Sequence, residues 1–218
     1  MKATFSNLKH KFTVKAITRK SKVMLERSRG LDFTSIINSE TVGFDPDIVH
    51  RSSPSGNKYL EQLLNDLGIT NNDSIIDIGA GKGSAMRSML KFPFKKVDGV
   101  ELSEQISAIA TNNFEILKVK RSRVYSCDAT SFPYYDQYNL FYFYNPFPDS
   151  VMSQVLSNIY QSIQRNEDET LIIYNNPACH DLIVGKGVFS KINEYPDEWG
   201  NQIYVYSNKD REHSRLKQ

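Results

Sequence analysis

Cysteine is almost missing from this chain of 218 residues, which holds only Cys127 and Cys179. Two thiols cannot build a disulfide framework or a cysteine-based metal cluster, so no metal site is expected and a reducing, cytoplasmic setting is. Long apolar runs are missing too. No stretch approaches a membrane span, and the N-terminus lacks the continuous apolar core of a signal peptide. Charge of one sign is also in short supply, the net value being +2. That balance hides an uneven distribution, because residues 1–30 carry nine Lys/Arg against Glu26 alone, or +8, which leaves −6 for the remainder. With 39% hydrophobic residues in 25.0 kDa, the chain can bury one good core and little more. We therefore expect a basic N-terminal helical extension over 1–55, one main domain over 56–208 and a polar tail over 209–218 that frays.

Glycine is used where it counts. Ser74 to Ile78 is an apolar, β-branched run suited to a buried parallel strand, and residues from Ser84 to Leu90 continue at helical spacing. Between them lies Asp77-Ile78-Gly79-Ala80-Gly81-Lys82-Gly83. A strand-to-helix turn of this kind uses glycines to reach positive φ and to let a ligand lie against bare backbone. A dinucleotide loop would read G-x-G-x-x-G, but here the third glycine comes one residue early and an acid precedes the first. A phosphate-binding loop would need four residues between its glycines and a Lys-Ser/Thr end, and Gly81-Lys82-Gly83-Ser84 does not supply them. A carboxylate gains nothing beside pyrophosphate. Beside an ammonium and a sulfonium it does gain, so the loop suits S-adenosyl-L-methionine.

The residues downstream agree. Lys96 to Glu101 reads as a second strand whose terminal acid falls about twenty residues after the loop, where a ribose-binding carboxylate is expected. Arg123 to Cys127 reads as a third strand, ending at Asp128-Ala129, where Asp128 can accept from an adenine amine. Helices are expected over 82–91 and 103–117 between these strands. Tyr138 to Tyr144 reads as the fourth strand, a helix follows over 149–164, and Thr170 to Tyr174 is the fifth strand. Val188 to Tyr195 and Gln202 to Tyr206 form a closing hairpin around Gly200-Asn201. Residues 56–68 return to helical spacing, with Ser53 and Ser55 as expected caps.

Taken together, the loop 77–83, V-E-L-S at 100–103, C-D-A at 127–129 and Asn145-Pro146-Phe147 resemble a class I S-adenosylmethionine-dependent methyltransferase over roughly 58–206. In detail the chain is similar to a group of small, mostly bacterial enzymes with Y-N-P-F as fourth motif. Its cofactor loop also resembles, more distantly, that of the non-SET histone-lysine methyltransferases. The resemblance implies an α/β, Rossmann-like fold with seven strands, mostly parallel, an antiparallel C-terminal hairpin and helices on both faces. It implies S-adenosyl-L-methionine as cofactor, S-adenosyl-L-homocysteine as product, and cofactor contacts at Asp77, Gly79, Ala80, Gly81, Gly83, Glu101, Leu102, Asp128, Ala129 and Asn145.

The acceptor is less defined. Enzymes that methylate adenine or glutamine amines use Asn/Asp-Pro-Pro-Tyr/Phe where this chain has Asn145-Pro146-Phe147, with one proline fewer. Asn145 is thus either an acceptor contact or a former of the turn into the next helix. Asn175-Asn176-Pro177-Ala178-Cys179-His180 follows the fifth strand and supplies Asn176 and His180 as catalytic candidates. His180 is either a general base, with its ordinary pKa near neutrality, or structural. The expected activity is methyl transfer to an O or N acceptor on a small or glycan-linked substrate. A nucleic-acid or protein amine is the alternative acceptor, and a non-catalytic binding protein the competing class. The basic arm 1–30 is either a lid over the cleft or a binder of nucleic acid or another acidic partner. Oligomeric state is not legible.

Overall fold

The computed structural model describes residues 19–35, 55–165, 168–210 and 213–216. Residues 1–18 of the basic arm, Ser53 and most of the connection before the first main-domain helix lie outside the described residues. A helix over 19–27, α1, leads into a turn at 28–30. Thereafter come α2 (Lys58–Asp66), β1 (Ser74–Ile78), α3 (Ser84–Met89), β2 (Lys96–Glu101), α4 (Glu104–Ile116) and β3 (Val124–Ser126). The chain closes with β4 (Leu140–Tyr144), α5 (Asp149–Ile163), β5 (Leu171–Asn175), α6 (His180–Val184), β6 (Ser190–Pro196) and β7 (Gln202–Ser207).

The seven strands form one sheet in the order β3-β2-β1-β4-β5-β7-β6. The pairs among the first five are parallel, and β7 runs antiparallel to both β5 and β6. The expected seven-stranded, mostly parallel sheet with an antiparallel end is therefore present. β1, β4 and β5 are buried along both faces, save Tyr144, as continuous apolar strands of a doubly covered sheet should be. Alternation divides their side chains. Ile75, Leu140, Tyr142 and Ile173 face a core with Leu60, Leu63, Leu64, Met86 and Phe114 of α2, α3 and α4. Ile76, Ile78, Phe141, Phe143 and Tyr174 face α5 and α6. Reversal of strand order falls between β1 and β4, so the carboxyl ends of these two strands open the crevice in which ligands bind.

Three local expectations are corrected. Ser55 does not cap α2: Asn57 does, its side chain accepting from the backbone N–H of Tyr59 and Leu60. An asparagine two residues closer to the helix meets those donors directly. The short helix α6 was not expected, because five residues cannot show a helical period. Residues 213–216 do not fray. Arg215 donates to Asp73 at 2.9 Å and to Glu169 at 3.0 Å, joining the start of β1 to the start of β5 from beneath the sheet. Ser214 is buried, and Leu216 packs on the core. Arg215→Ala should therefore destabilise the fold by about 1–3 kcal/mol, since it leaves the Asp73 and Glu169 carboxylates with neutral donors alone, Thr70 and Asn139 for one and Ser207 for the other. Thermal melting should show a drop of several degrees without loss of secondary structure.

Candidate functional site

The loop after β1 is shaped by contacts that exclude side chains. Gly79 sits at φ +85°, and a Cβ there would lie 2.6 Å from Cβ of Pro146. Gly83 caps α3 at φ +82°, and its Cβ would meet the Phe114 ring at 2.7 Å. The N–H groups of Gly79 and Ala80 both donate to the carbonyl of Val100, at 2.9 and 3.0 Å. β2 therefore fixes the loop's entry, and the Asn145-Pro146-Phe147 turn after β4 presses on it from the other side.

Within this frame Asp77 is 2% exposed. Among the described residues no hydrogen bond or cation reaches its carboxylate. Burial, with the Glu101 charge adding to it, pushes its pKa up to about 8. Glu101 is buried as well, but its oxygens accept from Gly81 N–H and Ser103 N–H, both at 2.9 Å. Burial raises its pKa, and those backbone donors oppose the rise. Glu101 thus spans the loop and the start of α4 with lone pairs to spare. Beside it Leu102 is 40% exposed, an apolar surface at the rim. Asp128 caps the 3-10 turn 129–131 through Thr130 N–H at 2.8 Å, and the Ala129 carbonyl accepts from Tyr135 at 2.7 Å. The three acids Asp77, Glu101 and Asp128 accordingly stand at the carboxyl ends of three adjacent strands. A buried carboxylate with no partner among the described residues, glycine backbone open to a ligand and an exposed leucine fit S-adenosylmethionine: cation, amino-acid backbone and adenine in turn.

On the acceptor side, Asn145 and Asn176 follow the last residues of β4 and β5, which pair as Tyr144 with Asn175. Both hold left-handed backbone, at φ 39° and 53°, a region asparagine tolerates better than most residues. Oδ1 of Asn145 accepts from the Tyr174 hydroxyl at 3.2 Å. His180 begins α6 and its Nδ1 meets the Tyr206 hydroxyl at 2.9 Å. Tyr206 lies opposite Ile172, in from the sheet's carboxyl edge. The imidazole is therefore held against the α6 side of the sheet, and the structure brings Asn145 and Asn176 together without it.

A second set of residues was not singled out in sequence. Lys82, read there only as a mismatch to a phosphate loop, is 3% exposed. Its ammonium pairs with Asp32 at 2.7 Å and donates to the Ser35 hydroxyl. Burial lowers its pKa against the pull of Asp32. Asn113 of α4 binds the N–H and C=O of Asp32 at 2.8 and 3.0 Å and the Lys82 carbonyl at 3.1 Å. Glu26 of α1 accepts from Phe33 N–H, Thr34 N–H and Arg87. Residues 26–35 are thus fastened to the cofactor loop by buried polar contacts, a link that a sequence shows only as scattered charges.

Residues 75–166 match the family model described as methyltransferase domain. The fold is that of class I S-adenosylmethionine-dependent methyltransferases. Solved structures share the fold at low sequence identity. An S-adenosylmethionine-dependent methyltransferase from Aquifex aeolicus matches with TM-score 0.56 and 10% identity, over 78% of this chain and 98% of that one. A ribosomal protein L11 methylase from Lactobacillus delbrueckii subsp. bulgaricus matches with TM-score 0.57 and 13% identity, over 76% and 84%. An RNA methyltransferase from Salinibacter ruber, in complex with S-adenosylhomocysteine, matches with TM-score 0.51 and 13% identity, over 73% and 95%. No curated protein matches in sequence. Among the described residues no helix is long and apolar enough to cross a membrane, and no cluster of His, Cys, Asp or Glu could hold a metal ion.

The cofactor's positive groups should ionise Asp77. Its folded pKa, raised from 3.8 to about 8, means that binding at neutral pH expels a proton. Affinity for S-adenosylmethionine should rise by up to about tenfold per pH unit from pH 6 and level off near 8. Calorimetry at pH 7 in buffers of differing ionisation enthalpy should register that proton. The same shift makes the free protein lose stability as pH rises from the unfolded value near 3.8 toward 8, because only the unfolded chain ionises there. Asp77→Asn should remove this loss, raising the melting point of the free protein while weakening the cofactor.

Proposed function

We propose that the protein transfers the methyl group of S-adenosylmethionine to an O or N acceptor on a small or glycan-linked substrate. The observation that carries this reading is the contact of the Asn145-Pro146-Phe147 turn with Gly79, which puts a half-buried asparagine and aromatic ring beside the loop that holds the cofactor. Bound there, the cofactor supplies an already activated methyl on its sulfonium. The chain then has to orient the acceptor in line and keep water away. Asp77 and Glu101 hold the cofactor's amino-acid end and ribose, with Leu102, Asp128 and Ala129 at the adenine. Asn145, its amide oriented by Tyr174, is the residue we place at the acceptor, with Asn176 beside it.

Among the described residues, five exposed cations on and after α1, Arg19, Lys20, Lys22, Arg27 and Arg29, support the second reading, a nucleic-acid acceptor. Their field would steer a polyanion toward the segment fastened to the cofactor loop.

Methyl-labelled S-adenosylmethionine offered with separate pools of metabolites and glycans, RNA, and proteins tests the choice. Label should enter the metabolite or glycan pool. Label confined to RNA, and lost when Arg19, Lys20 and Lys22 are changed to Glu, would favour the second reading instead. On the acceptor so found, Asn145→Ala should lower turnover by about a hundredfold with cofactor affinity unchanged, as loss of an orienting contact does. His180→Ala should change turnover by less than about threefold, because its imidazole is engaged at Tyr206; a hundredfold loss would restore it as a base.

A further inference from the structure

α1 is held by one face and bare on the other. Its one acid, Glu26, is 5% exposed and accepts from Phe33 N–H at 3.0 Å, from the N–H and hydroxyl of Thr34 at 2.9 Å each, and from Arg87 at 3.1 Å. These bonds anchor the helix to the body of the domain. On the side away from Glu26 stand Ser21, Met24 and Leu25, at the spacing that shares one helical face. Met24 is 76% exposed and Leu25 53%. Lys20 and Arg27 flank Met24, Lys22 and Arg29 flank Leu25, and all four are exposed.

Beside Met24 runs a groove of about 440 Å³, lined among the described residues by Arg19, Lys20, Val23, Met24, Arg27 and Ser35. Three cations meet there and no acid does. Ser35 also accepts from Lys82, so the groove adjoins the segment fastened to the cofactor loop. A lone exposed leucine needs no explanation. Two adjacent aliphatic side chains on an anchored helix, set in the middle of a cationic face, do need one, because the fold gives them no core to enter.

The chemistry of the face selects among acidic partners. Single-stranded nucleic acid is gripped by aromatic stacking as well as by charge, and residues 19–30 contain no aromatic. Duplex phosphates would engage the cations but offer Met24 and Leu25 little apolar surface. An anionic bilayer suits both halves of the pattern, with headgroup phosphates at the cations and the aliphatic pair in the acyl boundary between them. We propose that α1 is a membrane-contact helix that docks this face on an anionic phospholipid surface, a headgroup phosphate entering the groove at Arg19, Lys20 and Arg27. Through Ser35 and Lys82 the docked helix would hold the cofactor loop close to that surface. The inference stands apart from the choice of methyl acceptor.

Co-sedimentation of the full chain with vesicles tests it, comparing phosphatidylcholine alone with phosphatidylcholine and phosphatidylglycerol in equal parts. The protein should sediment with the mixed vesicles, remain in solution with the neutral ones, and be released from the former by salt. Changing Arg19, Lys20 and Arg27 together to Gln should weaken binding to mixed vesicles by about a hundredfold, at roughly fivefold for each cation lost. Met24→Ser combined with Leu25→Ser should weaken it by about tenfold or more. The melting point of that double variant should not change, because both side chains already face water. Full vesicle affinity in the double variant would overturn the proposal, since the helix would then act as a polycation only. Absence of binding to mixed vesicles by the unaltered protein, or equal binding to neutral ones, would overturn it too. Single-stranded RNA that strips the protein from mixed vesicles at equal phosphate concentration would overturn it as well, and would return the face to nucleic acid.

Discussion

A carboxylate enclosed at the end of the central strand, with no cation among its described neighbours, is the constraint on which this site depends. Burying Asp77 without compensation is unfavourable, and among the described residues the charge that acts on it is that of Glu101, of the same sign. Folded proteins tolerate such a group where a ligand later supplies the missing charge. S-adenosylmethionine brings an ammonium and a sulfonium to that place. Glu101 differs instructively. It is equally enclosed, yet two backbone N–H groups meet it, so it shapes the loop, and the ribose contact we propose for it uses the lone pairs that remain. Among the described residues one acid has its partners and the other has none.

Support for this arrangement comes from a distance in sequence. The cofactor loop is held on three sides by Val100 of β2, Pro146 after β4 and Phe114 of α4. On its fourth side Lys82 reaches into the segment 26–35 through Asp32 and Ser35. Part of the basic, N-terminal stretch is therefore built into the wall of the cofactor site. Glu26, the one acid in residues 1–30, carries much of that attachment. The exposed cations of α1 point outward from the same element, which places any attraction for an acidic partner next to the loop.

Much of this was legible in the residues. Continuous β-branched and aromatic runs marked the buried strands, and β1 and β2 fall on the expected bounds because both faces are covered and leave no ambiguity of period. Glycines with an acid before them marked the loop, since close backbone approach demands them at 79 and 83. What could not be read depends on partners far apart in the chain. Asn57 caps α2 in place of Ser55, and also holds Asp197 across 140 residues. Arg215 looked like a fraying end until Asp73 and Glu169 were placed around it. His180 sits where a base would be expected by position, but the turn of α6 commits it to Tyr206.

The central claim is that the site at the end of β1 is a cation-seeking cofactor pocket rather than a glycine turn of purely structural use. Calorimetric titration of the purified protein with S-adenosylmethionine, beside the Glu101→Ala variant, tests it most directly. The account predicts binding to the unaltered protein with a dissociation constant of about 1–100 μM, and loss of at least about tenfold in the variant, because the ribose contact and the loop's own brace go together. Absence of binding, or affinity indifferent to Glu101, would contradict it.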